Sequence, residues 1–236
     1  MVGAMQVLQL WRYPIKSVGG EQLDSASVTD LGIEGDRGWG LVDEPTGYVL
    51  TARREPRLLF ATCRLVDGTP IATTDDGREL TTSDDWSTWL DRPVRLARAG
   101  TVGGTYENPM DAERDADWVQ WQGPPGAWHD SGRSRISIVS TGSLGDWDFR
   151  RFRSNVLVDG SGEDELIGST ISIGGVHATV MNGIDRCVMV TRPQPGLDRD
   201  LDLLRTINRA AATFCVGALI DDVGFIRVGD QVEPLE

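Results

Sequence analysis

The sequence predicts a mainly β protein of barrel type with a few short helices. Short apolar or alternating runs recur along all 236 residues, separated by turn signals such as Asp67-Gly68, Asp76-Gly77 and Gly174-Gly175. Only two stretches carry helical periodicity, "SDDWSTWLDRP" and "LDRDLDLLRTINRAAATFC". The length and a 39% hydrophobic composition support a substantial core, in one large domain or two smaller ones.

The elements follow in chain order. "MQVLQLWRYPI" predicts a strand ended by Pro14, and "GWGLVDEPTGYVLTA" predicts two strands around the turn "DEPTG". "RLLFATCRLVDGTPIATTDDGREL" adds further short strands. The first helix has Ser83 as its N-cap and acids in its first turn, with Trp86, Trp89 and Leu90 on one face. "PVRLARA" is one more strand, and a boundary follows, giving domains over 5–99 and 100–236. Residues 100–132 are rich in Gly, Pro, Asp and Trp without a clear period. They predict a loop packed over a cleft, with Trp118, Trp121 and Trp128 arguing against disorder.

"SRISIVSTGSLGDW" is a strand running into a polar turn at Ser140–Ser143, and "RRFRSNVLVDG" is a strand behind an arginine cluster. "LIGSTISIGGVHATVMN" gives two strands around Gly174-Gly175. The second helix turns Leu201, Leu204, Ile207 and Ala211 inward, and "GFIRVGDQVEPL" closes the chain as a β element.

The formal charge is −13, from 36 acidic and 23 basic residues, which argues against nucleic acid as a partner. The N-terminus lacks the pattern of a secretory signal, and no apolar run reaches the length of a membrane span. Three cysteines, Cys63, Cys187 and Cys215, argue against a disulfide framework and point to a reducing compartment. The expectation is a cytoplasmic protein with no membrane partner. Of the 23 basic residues, Lys16 is the one lysine, so any Schiff-base chemistry would fall on it.

Several catalytic signatures are absent: GxxxxGK[ST], HExxH, CxxC and a GxSxG elbow. Two histidines, His129 and His177, cannot build a histidine-rich metal site. His177 is expected as a satisfied core residue and His129 as a hydrogen-bonded loop residue. What remains is an inventory of anion-binding groups at strand ends. It comprises Lys16-Ser17, Arg37, Arg53 and Arg54, Ser140-Thr141-Gly142-Ser143, Arg153, Asn155 and Arg186. Any one of these arginines can be explained as a surface ion pair, but the set stands beside Cys187. A neighbouring cation favours the thiolate, a soft metal ligand, although a buried inert cysteine fits the spacing equally well. Cys63 and Cys215 lie in apolar contexts and are expected as core fillers.

Six motifs in order, "YPIKS", "GDRGWGLVDEPTGYVLTARREPRLL", "VSTGSL", "RFRSNVLVDG", "DRCVMVTRPQPG" and "GFIRVGD", resemble the MOSC family. The resemblance spans nearly the whole chain and is closest to the branch containing the mitochondrial amidoxime-reducing component and its bacterial relatives. It implies an N-terminal β-barrel region packed on a MOSC β-barrel domain, with a molybdenum cofactor (a phosphate-bearing molybdopterin) between them. It implies Cys187 as the molybdenum ligand and Arg53 as an active-site arginine. Lys16, Arg37, Ser140, Thr141, Ser143, Arg153, Asn155 and Arg186 fall at or beside cofactor-contacting positions. The implied reaction is two-electron reduction of an N-hydroxylated substrate to the amine and water. The chain has no cysteine set for an iron–sulfur cluster, so the expected electron source is a separate protein: a ferredoxin, a flavodoxin or a reductase. Two alternatives stand beside this. MOSC domains also end molybdenum-cofactor sulfurases, so Cys187 is a candidate persulfide carrier; a non-enzymatic carrier of the cofactor is the other.

Overall fold

A computed structural model describes residues 4–110, 117–210 and 213–235. The chain opens on strand β1 (Met5–Arg12), followed by β2 (Glu21–Leu23), β3 (Ser25–Thr29), β4 (Gly32–Ile33) and β5 (Trp39–Asp43). Next come β6 (Ala61–Val66), β7 (Thr69–Thr74), β8 (Glu79–Leu80), helix α1 (Ser83–Leu90) and β9 (Val94–Arg98). A hairpin of β10 (Thr105–Pro109) and β11 (Trp118–Gln122) leads to β12 (Ile136–Ser140), the one-turn helix α2 (Thr141–Leu144) and β13 (Val156–Val158). The remainder is β14 (Thr170–Ile173), β15 (Val176–Asp185), helix α3 (Leu201–Ala210), β16 (Thr213–Asp222), β17 (Gly224–Arg227) and β18 (Gln231–Pro234). The mainly β class read from the sequence is the class observed.

Seven strands close into a barrel, in the order β1, β13, β12, β16, β15, β14, β18 and back to β1. Closure leaves these strands no free edge. The first strand of the chain therefore belongs to the barrel built by its last hundred residues. In the other direction, β17 leaves the barrel to pair with β3, which pairs with β4. Met5, Val7 and Leu10 of β1 share one core with Ala26, Val28 and Ile33, and with barrel residues such as Ile138, Ile171, Val180 and Val216. A second core lies under β5–β9, around Leu41, Leu58, Leu80, Trp86 and Leu90. The third packs α3 against the outside of the barrel through Leu203, Leu204, Ile207, Phe149 and Phe214.

Several expectations are corrected. Helix α1 is capped by Thr82, not Ser83: Thr82 Oγ1 accepts from Asp85 N, while the Asp85 carboxylate accepts from Thr82 N, a reciprocal box. The second helix ends at Ala210, and Thr213–Cys215 open β16, a strand missing from the sequence reading. Its residues Phe214–Ala218 are buried on both faces, so it shows no alternation. Leu201 is exposed and Leu203 takes the inward position; Ala211 lies outside the described residues. "RLLF" forms a 3-10 turn, and "GYVL" pairs with β5 through an isolated bridge. Residues 100–132 hold the β10–β11 hairpin instead of an irregular loop. His177 is a solvent-facing residue, half exposed, whose Nδ1 lies 2.8 Å from Asp222 Oδ2. Among the described residues, no helix is long and apolar enough to cross a membrane.

Leu10 is fully buried and lies opposite both Val156 of β13 and Leu23 of β2. Leu10→Ala should lower unfolding free energy by about 2–5 kcal/mol, as for other buried leucines. Denaturant unfolding should show one shared transition for probes in both halves of the chain.

Candidate functional site

A cavity of about 530 Å³ lies at the junction of the barrel and the N-terminal sheets. The turn after β1 brings Lys16 and Ser17 to it, and the turn before β5 brings Arg37. The segment before β13 supplies Arg153 and Asn155, β15 supplies Asn182, and the residues just after β15 supply Arg186 and Cys187. Eight cationic side chains (Lys16, Arg37, Arg53, Arg133, Arg135, Arg151, Arg153 and Arg186) line it, against the carboxylates Asp130 and Asp185. In a chain of net charge −13 this is a strong local inversion, and it makes the cavity an attractor for anions.

Each inner cation is held in place. Lys16 is buried, with Nζ donating to Trp128 O at 2.9 Å and Asp130 Oδ1 at 2.8 Å, 4.4 Å from the Tyr106 ring centre. Burial pushes its pKa down, with Asp130 pulling the other way. Arg37 pairs with buried Asp36 and donates to Arg153 O. Arg37 and Arg153 both lie over the Tyr13 ring, at 5.3 and 4.5 Å. Burial, with neighbouring Arg37, pushes Arg153 down to about 10. Arg53 Nη1 donates to Asn108 Oδ1 of the β10–β11 hairpin at 2.7 Å. Ser17, Arg37 and Arg153 have φ of 68°, 51° and 54°, so three of the seven described non-glycine residues in the left-handed region line this one cavity. Such conformations cost about 1–3 kcal/mol each and collect where function fixes the backbone.

Of the three thiols, two are closed off. Burial pushes Cys63 up to about 12 and also raises Cys215. Cys187 is partly exposed and faces the cavity from the start of a 3-10 turn over Val188–Thr191. The Arg186 guanidinium does not serve it as the sequence suggested: it donates to Phe214 O, Phe152 O and the Cys215 sulfur. Arg192, five residues past Cys187, donates to Arg53 O, which ties the cysteine segment to the arginine segment.

The cavity brings together Lys16, Arg37, Arg53, Arg153, Asn155, Arg186 and Cys187 of the sequence-derived set. Ser140, Thr141 and Ser143 are not in it. Ser140 Oγ accepts from Ser143 N and donates to Glu163 Oε2, and Thr141 donates to Gly160 O, so these groups satisfy the backbone around α2. Sequence reasoning missed Arg133, Arg135, Asn182 and Asp130. The polar run "HDSGRSR" was the available signal, but nothing in it told cavity-facing arginines from solvated ones.

Comparisons with known proteins agree with this architecture. Residues 4–112 match the MOSC N-terminal beta barrel domain, and residues 128–233 match the MOSC domain. Mitochondrial amidoxime reducing component 2 of Rattus norvegicus is 41% identical, over 96% of this chain and 82% of its own length. The chain belongs to the MOSC family. Human mitochondrial amidoxime-reducing component 1 is 25% identical over the same shares of each chain. The molybdenum cofactor sulfurase of Drosophila melanogaster is 24% identical over 86% of this chain, which spans 30% of that protein. Among solved structures, the YUAD protein from Bacillus subtilis superposes with a TM-score of 0.50 at 13% identity, covering 98% of this chain and 94% of its own, which shows a shared fold.

His129 in this MOSC cavity is buried, with its ring nitrogen Nε2 3.3 Å from Leu31 O. Burial, and then the charge of Arg37, push its pKa down to about 4. The folded state therefore holds His129 neutral, while the unfolded chain takes up its proton near 6.5. Stability from this group is present above pH 6.5 and drains away as pH falls toward 4, by up to about 3 kcal/mol. Urea midpoints measured from pH 7 to 4.5 should fall more steeply for wild type than for His129→Gln.

Proposed function

We propose that the protein is a molybdenum-cofactor-dependent reductase of N-hydroxylated compounds. One observation carries the reading: a single cavity joins the only partly exposed thiol, Cys187, to a cationic lining built for an anion. The donor set fits the cofactor. Among the described residues no group of three His, Cys, Asp or Glu could hold a metal, so a metal here brings most of its own ligands, as a dithiolene-bound molybdenum does. Arg153 Nη2, a buried donor without a protein partner, belongs to a residue lining the cavity and suits an anionic ligand.

In this reading Cys187 would ligate the molybdenum from the protein side, and Lys16, Arg37 and Arg153 would hold the phosphate, with Asn155 beside them. The cofactor, when bound, supplies the two-electron couple that, with two protons, converts R–NHOH to R–NH2 and water. Arg53, fixed by Asn108, orients the substrate oxygen. Phe152, Met189 and Val190 form the apolar part of the wall and exclude water. Lys16 Nζ, bonded to Asp130 and holding that carboxylate well below the usual range, keeps its ammonium at the cavity wall. Electrons come from a separate donor protein. The amidoxime-reducing relatives support this reaction.

The test is elemental analysis of protein made in a cofactor-competent host. Wild type should carry close to one molybdenum per chain and reduce benzamidoxime with a chemical electron donor. Cys187→Ser should lose most of the metal and at least about 100-fold in turnover. Metal-free wild type bearing a persulfide on Cys187 would instead support the sulfur-carrier chemistry of the sulfurase relatives.

A further inference from the structure

The cations of the cavity fall into two groups. Lys16, Arg37, Arg53, Arg151, Arg153 (through Nη1) and Arg186 spend hydrogen bonds on protein acceptors: Asp130, Asp36, Asn108 and main-chain carbonyls. Arg133 and Arg135 do not. The Arg133 side chain is exposed at the cavity and has no bond or ion pair among the described residues. Arg135 is half-buried, and its Nη1 is shut away from solvent without an acceptor. Burial lowers its pKa, and Asp30 offsets this only at a distance. A buried guanidinium donor with no acceptor is costly, and a bound anion removes that cost.

The position also matters. Arg135 N bonds to Ala218 O of β16, Ser137 lies opposite Gly217, and Gly217 lies opposite Asn182 of β15. Arg135 and Asn182 therefore flank the same strand and both line the cavity. Asn182 Oδ1 is a buried acceptor without a donor, and its amide orientation is set because Nδ2 donates to Gly183 O at 2.7 Å. Four residues of chain lie between Asn182 and Cys187, a span of at most about 18 Å. This end of the cavity thus offers one unfilled acceptor and two arginine forks in the same cavity as the thiol.

We propose that Arg133 and Arg135 form a second oxyanion subsite, distinct from the inner group, which takes the carboxylate or phosphate of an anionic N-hydroxylated substrate, while Asn182 Oδ1 accepts from an N–H or O–H of the same molecule. This rests on the reductase reading and narrows its substrate class to molecules with an acidic group remote from the N–O bond. A cofactor with an extended phosphate tail offers the same chemistry and is the competing source of the anion.

The test compares benzamidoxime with 4-carboxybenzamidoxime in molybdenum-loaded wild type, Arg133→Ala/Arg135→Ala and the conservative Arg135→Lys. Wild type should prefer the carboxylate. The double variant should lose about tenfold or more of that preference, through KM, while turnover of benzamidoxime and molybdenum content stay unchanged. Arg135→Lys should retain part of the preference. In calorimetry on cofactor-free protein, 4-carboxybenzamide should bind more tightly than benzamide, and the double variant should abolish the difference. An unaltered substrate ratio in a folded, loaded double variant overturns the proposal. Loss of molybdopterin from that variant overturns it too, by assigning the anion to the cofactor. Wild type that is loaded yet reduces neither compound refutes the reductase reading, whereas the calorimetric comparison still judges the subsite.

Discussion

The pairing of β1 with β13 is the constraint on which the rest depends. It closes the barrel at one seam, Val7 against Val158 and Leu10 against Val156. It also fixes the cavity, because each strand carries a cavity segment at its end. The chain leaves β1 through Tyr13 and Pro14 to reach Lys16 and Ser17, and it enters β13 through Arg153 and Asn155. Trp11 N donates to Asn155 O and Asn155 Nδ2 donates to Trp11 O, so the two approaches are locked side by side. The Tyr13 ring then stacks under both Arg37 and Arg153. The barrel seam and the cation cradle are one feature: apolar burial along β1 sets the register, and the register sets the charges.

Concentrating cations in this way needs compensation, since like charges in a partly dry cavity repel. The structure supplies it with Asp36 under Arg37, Asp130 beside Lys16, aromatic rings under three of the cations, and carbonyls around Arg151 and Arg186. The left-handed backbone at Ser17, Arg37 and Arg153 is of a piece with this. Those residues hold conformations that a chain selected only for stability would give to glycine.

Much of this was legible in the residues. Short strands, few helical periods and basic groups at strand ends announced the class and most of the cavity, because a residue at the end of a strand has few places to point. The rest needed tertiary information. Ser140 and Ser143 look like anion ligands in sequence, but a hydroxyl at a strand end is as readily taken by a local backbone group, and Glu163, 23 residues away, completes that claim. β16 was invisible because barrel residues buried on both faces do not alternate, and the alanines before it extend a helical pattern. Asn182 and Arg135 were equally hidden. β15 shifts register twice near Asn182, so counting residues along the strand cannot tell which side chain faces the cavity.

The crossing of strands between the two halves bears on how ligands come and go. Clefts between domains commonly open by rotation about a hinge. Here β1 runs from the N-terminal half into the barrel, while β17 runs back to β3. Rotating the halves apart would break backbone ladders on both sides of the junction, an event that belongs to partial unfolding and not to a functional cycle. A large ligand therefore has to pass a fixed mouth, and its residence time is governed by side chains and turns at the rim.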